Sequence, residues 1–157
     1  HKEPVRLSKL LRSYAADLLN AGIASKYTVE TEILPSAETV VIECDARLIS
    51  RAINNLVQNS IYHNPQGCNI FLSLDCFQAD ISITVADNGV GLSAEKLRDL
   101  EEKPHYMEST DERLDLRHGL GLLLVRQIVE AHGGRMKIES AEQSGCRTVL
   151  TLKCRKL

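Results

Sequence analysis

The sequence predicts an α+β fold: a two-layer sandwich in which three helices pack on a mixed, mainly antiparallel sheet of about five strands. Three segments repeat apolar residues every three to four positions, as amphipathic helices do. Several others alternate apolar and polar residues, as half-buried strands do. Because these elements do not alternate strictly along the chain, the pattern disfavours a doubly wound parallel sheet.

The bulk composition indicates one domain. A chain of 157 residues with 43% hydrophobic residues can form one sizeable core, so we expect a single domain over residues 1–157. Its net charge of −2 gives no reason to expect a nucleic-acid or anionic-membrane surface. Since no apolar run approaches the roughly 20 residues needed to span a bilayer, we expect this chain not to be membrane-inserted.

The first elements are a helix and two short strands. Leu7 to Ala21 places its leucines on one helical face, and Gly22 is a natural stop. Strands around Thr28–Ile33 and Val40–Glu43 follow, separated by a turn at Pro35-Ser36.

A second helix occupies the middle of the chain. Asp45 stands where an N-cap is expected, and the apolar period behind it ends near Asn64-Pro65. The alternating segments Asn69–Asp75 and Asp80–Val85 predict two antiparallel strands.

The last third begins with an irregular segment. Val90 to His118 is polar and has no sustained period, and so long a segment inside a compact domain is usually functional, such as a lid. A third helix over Leu120 to His132 ends at Gly133-Gly134. Two final strands are predicted over Arg135–Ser140 and Arg147–Cys154.

The cysteines predict free, buried thiols rather than a metal site or disulfides. Their number is odd, none form a CxxC pair, and they lie in or directly beside runs that read as strands. The five histidines are too scattered in sequence for a zinc motif. The cysteines are Cys44, Cys68, Cys76, Cys146 and Cys154.

Two glycine clusters suggest a nucleotide site. Asp87-Asn88-Gly89-Val90-Gly91-Leu92 follows a strand, so its backbone can turn sharply against a ligand while the acid accepts a hydrogen bond from an exocyclic amine such as that of adenine. His118-Gly119-Leu120-Gly121-Leu122 opens a helix, whose free N–H groups form an anion site. Each cluster alone is also compatible with an ordinary turn.

Two asparagines in the second helix carry the third signal. Asn55 and Asn59 are four residues apart, so their amides project from one helical face next to the apolar stripe. Amide oxygens suit Mg²⁺, which shares its shell with water and phosphate. The alternative is a solvated helix face.

Together and in this order, the three motifs resemble the boxes of the histidine-kinase-like ATPase superfamily. The N box is Asn55–Ser60, the G1 box Asp87–Leu92 and the G2 box His118–Leu122. The segment Val125–Gly134, followed by Ile138-Glu139-Ser140, is similar to the sequence after the G2 box in sensor kinases. The resemblance covers nearly the whole chain and implies the Bergerat fold.

The resemblance implies a role for each motif residue. Asn59 would ligate Mg²⁺ on the ATP phosphates, Asn55 would support the phosphate side, and Asp87 would bind the adenine amino group. The Val90 to His118 segment would be the ATP lid. The implied ATP-binding residues are Asn55, Asn59, Tyr62, His63, Asp87, Gly89, Gly91, Leu92, His118, Gly119, Leu120, Gly121 and Leu122.

The resemblance also implies the reaction. Hydrolysing relatives carry a water-activating glutamate four residues before the magnesium asparagine, where this chain has Asn55, and a neutral amide is no general base. The expected function is therefore transfer of the γ-phosphoryl group of ATP to a histidine of a two-component sensor kinase, for relay to a response regulator.

The expected phosphoacceptor lies outside this chain. His1-Lys2-Glu3-Pro4 lacks a preceding helix, and His63-Asn64-Pro65 ends the N-box helix beside the nucleotide. The implied partners are a dimerisation and phosphoacceptor hairpin of the same protein and a response regulator. The implied parent is a membrane-bound homodimer with this domain in the cytoplasm.

Four departures from the family pattern concern the lid and the phosphates. Tyr62 replaces a usual Lys or Arg, Arg117 replaces a glycine, Cys146 replaces a threonine near the adenine, and the phenylalanines of the F box are absent. Two alternatives follow: a serine kinase or ATPase of the same superfamily, and a nucleotide-sensing pseudokinase without transfer activity.

Overall fold

The computed structural model describes residues 1–102 and 120–154. Its helices are α1 (Leu7–Asn20), α2 (Ala46–His63), α3 (Ala94–Glu102) and α4 (Leu120–Ala131). Its strands are β1 (Glu3–Arg6), β2 (Tyr27–Ile33), β3 (Val41–Cys44), β4 (Cys68–Phe77), β5 (Asp80–Asp87), β6 (Arg135–Ser140) and β7 (Cys146–Lys153). A single 3₁₀ turn spans Pro35–Ala37.

The sheet topology confirms the predicted fold class. Five strands lie in the order β2-β4-β5-β7-β6, with β2 parallel to β4 and every other pair antiparallel. The second predicted strand, around Val40–Glu43, lies outside this sheet, since β3 pairs antiparallel with β1 in a separate ribbon. β1 was not predicted because it contains Pro4 and only one strand-forming side chain, Val5, so it shows no alternating pattern.

The core lies between one face of the sheet and the helices. Ile70, Leu72 and Leu74 of β4 share a face with their β5 partners, because side chains two apart on a strand point the same way. Helices α1, α2 and α4 pack on this face. Each fully buried Leu or Ile contributes roughly 1.5–3 kcal/mol. The largest fully buried side chains include Leu7, Leu11, Ile49, Ile53, Ile81, Ile83, Leu150 and Leu152.

Helix α2 carries the asparagines and is fixed at its start. As predicted, Asp45 is its N-cap: Oδ1 accepts hydrogen bonds from the amides of Arg47 and Leu48, at 3.1 and 3.2 Å. The Asp45 amide donates to Nε2 of His132, 3.0 Å away, which ties the end of α4 to the start of α2. The helix ends at His63, next to the predicted Asn64-Pro65 boundary.

The predicted lid is not wholly irregular. Helix α3 occupies Ala94–Glu102, where the sequence analysis expected none. Its start has a recognisable cause, since Oγ of Ser93 accepts a hydrogen bond from the Lys96 amide at 3.1 Å, as an N-cap does. Residues 103–118 of the predicted lid, including Arg117, lie outside the described residues.

All five cysteines are free. Cys44 and Cys68 are buried as predicted, whereas the prediction was wrong for the other three, which are partly exposed. The sulfurs of Cys76 and Cys154 lie 3.7 Å apart beside the β4–β5 turn. Within residues 1–102 and 120–154, no helix has the length and apolar content to cross a membrane.

Candidate nucleotide site

A cleft of about 520 Å³, counted with the space at its open mouth, lies where α2 and β5 both end. Side chains of α2, β5, β6, β7, the first glycine loop and α4 contribute to its walls. The lining residues are Leu56, Asn59, Ser60, His63, Asn64, Val85, Asp87, Gly91, Leu92, Leu122, Ile138, Cys146 and Thr148. The cleft thus gathers parts of all three sequence motifs.

Asp87, the last residue of β5, is the acid of the cleft. Its β7 partner is Cys146, and only 8% of its surface is exposed. Oδ2 accepts a hydrogen bond from Oγ of Ser60 at 2.7 Å, and Oδ1 accepts one from the Gly89 amide at 2.9 Å. A carboxylate has about four acceptor sites, so two bonds leave capacity for a ligand.

The first glycine cluster forms a tight loop against α2 and the β6–β7 hairpin. Gly91 has φ +70°, and a Cβ there would lie 2.0 Å from the carbonyl oxygen of Ala141. A Cβ on Gly89 would lie 1.9 Å from Oδ1 of Asn64. Both positions therefore require glycine because the backbone packs directly on its neighbours.

Ser140 fastens the same loop from the β6 side. Its Oγ accepts a hydrogen bond from the Leu92 amide at 2.8 Å and donates to the Gly145 carbonyl at 2.7 Å. The Gln143 amide donates to the Val90 carbonyl at 2.6 Å. The loop that positions Leu92 in the cleft is thus held by the chain about 50 residues later.

The two asparagines of α2 are placed differently. Asn59 lines the cleft, and its buried Nδ2 has no hydrogen-bond partner among the described residues. Such a group is costly to bury, so an unpaired amide in a cleft indicates a site that a ligand completes. Asn55 lies one turn earlier, half-buried and outside the cleft lining.

Of the remaining predicted residues, some line the cleft and others do not. His63 and Leu122 line the cleft, whereas Tyr62 is 38% exposed and packs edge-on against the His63 ring. Gly121 lies in the first turn of α4, which begins at Leu120. His118 and Gly119 lie outside the described residues.

Cys146 faces Asp87 across the sheet. Burial raises the pKa of its thiol, and the negative charge of Asp87 raises it further. The group is therefore a neutral thiol, a weak donor in the position where the family resemblance predicts a threonine hydroxyl. The described part of the chain holds no cluster of three or more potential metal-ligating His, Cys, Asp or Glu side chains.

Sequence reasoning did not assign three polar residues that shape the cleft: Ser60, Asn64 and Ser140. Ser60 had a usable signal, since it is a small polar residue one position after Asn59 on a largely apolar face. Asn64 and Ser140 had no such signal, because each forms a hydrogen bond to the glycine loop, 26 or more positions away in the sequence.

Comparisons with known proteins identify the family of the chain. The family model of histidine kinase-, DNA gyrase B- and HSP90-like ATPases matches residues 44–156. Histidine protein kinase DivJ of Caulobacter vibrioides is 34% identical over 113 residues, 72% of this chain and 19% of that protein. Sporulation kinase E of Bacillus subtilis is 31% identical over 154 residues, 98% of this chain and 20% of that protein. The chain thus spans about a fifth of each relative.

Solved structures share the fold. The catalytic domain of histidine kinase ThkA superposes with a TM-score of 0.79 at 21% identity, covering 98% of both chains. The ATP-binding domain of PrrB from Mycobacterium tuberculosis gives 0.73 at 25% identity, covering 99% of this chain and 98% of that one. With the family model matching most of its length, the chain belongs to the family of histidine kinase-, DNA gyrase B- and HSP90-like ATPases.

Proposed function

We propose that this domain binds Mg-ATP and transfers the γ-phosphoryl group to a histidine on a separate dimerisation domain. The observation that carries the proposal is the cleft itself. A buried carboxylate with spare acceptor capacity, Asp87, and a buried, unpaired amide, Asn59, line the same space. The carboxylate of Asp87 can accept a hydrogen bond from the base of a nucleotide, and the amide of Asn59 can bind at its phosphates and metal ion.

The base end of the site is the better defined. Asp87 accepts a hydrogen bond from the adenine amino group, while Gly91 and Leu92 form the adjacent wall and Gly89 brings the loop close to α2. Val85, Ile138 and the other apolar lining residues exclude water around the ring, which strengthens that hydrogen bond.

The phosphate end uses α2 and the start of α4. Asn59 is proposed to hold Mg²⁺ through its amide oxygen, and Asn55 to support the phosphates. The backbone amides of Gly119 to Leu122 would bind phosphate oxygens at the positive end of α4. Tyr62 and His63 occupy the neighbouring positions, and Tyr62 supplies no cation.

The donor set of this end fits Mg²⁺. The orphaned Asn59 amide can present its oxygen to the cleft, since the two ends of an amide are related by a flip. When bound, Mg²⁺ would neutralise phosphate charge. With amide oxygens as the ligands that the described residues of this end offer, the rest of its shell would fall to phosphate and water, as is usual for this ion.

The reaction is a phosphoryl transfer without hydrolysis. A ring nitrogen of the acceptor histidine forms a bond to the γ-phosphorus as the bond to the β–γ bridging oxygen breaks, leaving ADP. The protein's contribution is positioning and charge stabilisation. Asn55 cannot remove a proton from water, so water is a poor competitor for the γ-phosphorus.

The whole protein is proposed to be a sensor kinase. Residues 1–157 form its single catalytic and ATP-binding domain, the acceptor hairpin is another part of the same protein, and a response regulator receives the phosphoryl group. We place this domain in the cytoplasm and the parent in a membrane as a homodimer. The similarity to histidine protein kinase DivJ and to sporulation kinase E supports these assignments.

The test combines ATP turnover with transfer. The isolated chain should bind ATP, release phosphate barely faster than a protein-free control, and leave itself unlabelled. Adding the acceptor hairpin of the same protein should give acid-labile, alkali-stable phosphate on that partner. Binding without transfer would instead support a nucleotide-sensing pseudokinase, the alternative that the exposed Tyr62 favours. Substantial ATP turnover by the chain alone would refute the argument from Asn55.

A further inference from the structure

Asn64 connects the end of α2 to the first glycine loop. It follows the last residue of α2, is 4% exposed and lines the cleft. Its side chain uses both ends: Oδ1 accepts a hydrogen bond from the Val90 amide at 2.8 Å, and Nδ2 donates one to the Ser60 carbonyl at 2.8 Å. A buried amide with both ends paired holds its two partners in one relative position.

The backbone of Asn64 is equally constrained. Its carbonyl accepts hydrogen bonds from the Tyr27 hydroxyl at 2.8 Å and from the Gly67 amide at 2.9 Å. The side chain therefore extends from a point fixed by β2 and by the turn before β4. Both anchors of the Asn64 backbone thus lie outside the glycine loop.

Gly89 completes the contact. Its α-carbon packs so closely on the Asn64 amide that a Cβ would lie 1.9 Å from Oδ1 and 2.5 Å from Nδ2. Asp87 is linked to the same point, because Ser60 donates to its carboxylate through Oγ while accepting from Asn64 through the carbonyl oxygen. Asn64 thus joins the loop and the acid through one helix end.

We propose that Asn64 is a positioning residue for the nucleotide base. Its amide fixes the position of the Gly89–Gly91 loop relative to the carboxylate of Asp87. The inference rests on the proposed nucleotide function and goes beyond it, since the amide acts through Val90 and Gly89. Asparagine is required because one neighbour is a donor and the other an acceptor. An aspartate at position 64 would place a carboxylate oxygen, which cannot donate a hydrogen bond, against the carbonyl oxygen of Ser60.

The experiment measures ADP affinity by calorimetry and amide exchange for the unaltered chain, Asn64→Asp and the control Ser8→Ala. Ser8 is fully buried and donates to the Glu38 carbonyl at 2.7 Å, on α1 and away from the cleft. Asn64→Asp should weaken ADP binding about tenfold or more, and exchange of the Val90 amide should accelerate. Ser8→Ala should lower the melting temperature without changing either quantity.

Gly89→Ala disturbs the same contact from the loop, and it replaces Asn64→Asp as the test variant if Asn64→Asp does not fold. It should reproduce the loss of ADP affinity, because the new methyl group displaces the amide. Unchanged ADP affinity in a folded variant at either position would overturn the positioning role alone. Failure of the unaltered chain to bind ADP would refute the proposed function, and the role of Asn64 with it.

Discussion

Two aspartates stand at the two ends of the central strand β5 and have opposite surroundings. Asp80, at the start, lies beside two cations: Lys153 donates a hydrogen bond to Oδ1, and Arg135 lies 3.7 Å from Oδ2. Asp87, at the end, is buried and accepts hydrogen bonds from Ser60 and Gly89, which are neutral donors. Among the described residues, the same residue type is thus ion-paired at one end of the strand and hydrogen-bonded only to neutral groups at the other.

The difference indicates how a binding acid is distinguished from a structural one. Among residues 1–102 and 120–154 no cation pairs with Asp87, and burying a carboxylate without a counter-ion costs stability that its two hydrogen bonds offset in part. At Asp80 the ion pairs satisfy the carboxylate on the surface, where a ligand would have to displace them. Spare acceptor capacity inside a cleft is the reason why we propose Asp87, and not Asp80, as the acid that binds the nucleotide.

The largest expected effect compares the two carboxylates directly. Asp87→Asn should weaken ADP binding about ten- to a hundredfold, because a charge-assisted hydrogen bond is worth roughly 1.5–3 kcal/mol. Asp80→Asn should leave the affinity unchanged. Calorimetry on both variants checks this. An unchanged affinity in Asp87→Asn, or an equal loss in Asp80→Asn, would break the comparison.

Backbone geometry also differs between the two ends. At the Asp80 end the turn residue Gln78 has φ 55°, so a side chain is accommodated there. At the Asp87 end Gly145 has φ +81°, and a Cβ would lie 1.9 Å from the Asp87 carbonyl oxygen. Glycine is needed at 145 for close approach, whereas positive φ alone tolerates glutamine, both at position 78 and at position 143 in the same β6–β7 turn.

A pair of alanine variants separates the two reasons for glycine, which are backbone strain at positive φ and the close approach of a neighbouring atom. Gly145→Ala should lower the free energy of unfolding by roughly 2–4 kcal/mol, from backbone strain and from the collision with Asp87. The control Gly22→Ala has φ +87° and open space around it, so strain alone should cost about 1 kcal/mol. Urea unfolding of both variants measures the difference. Equal losses would show that strain, and not close packing, selects glycine at 145.

The regular elements were predictable because their signals are local. The bounds of α1 and α2 agree with the sequence to within one or two residues, since Asp45 and the apolar periods specify them. β5 was predicted to end at Val85 but continues to Asp87, because the pairing of Asp87 with Cys146 cannot be seen in a strand pattern. α3 was missed because a single capping serine is a weak signal.

The site was predictable only as motifs. The sequence named Asp87, Asn59 and Leu92, and the structure places all three in one cleft. The amide of Asn64 and the hydroxyl of Ser140 escaped, since their partners depend on how α2 and the β6–β7 hairpin meet the loop. Distances between segments far apart in sequence are the part of the site that a single sequence does not contain.

The smallest expected effect concerns the pH dependence of Asp80. The hydrogen bond from Lys153, with the charges of Lys153 and Arg135, lowers the pKa of Asp80 below its ordinary value of about 3.9, while desolvation opposes this. A carboxylate with a lowered folded pKa stabilises the protein above its unfolded pKa and loses that effect as pH falls through the folded value. Asp80→Asn should therefore reduce the melting temperature slightly, on the order of 1–3 °C from pH 7 to 5, because exposed ion pairs contribute little.

Below about pH 4 that difference should shrink, and it should disappear once the pH lies below the lowered folded pKa, where Asp80 is protonated and resembles the variant. Thermal melts of both proteins from pH 7 to 2.5 follow the change. Repeating them in 1 M salt should shrink the difference at pH 7, where screening weakens the pair. Lys153→Gln serves as the matched control, because it removes the main partner from the other side and should give the same profile. A difference that grows as the pH falls would mean that Asp80 is stabilised in its protonated form, and the two ends of β5 would then not differ in the way that their partners indicate.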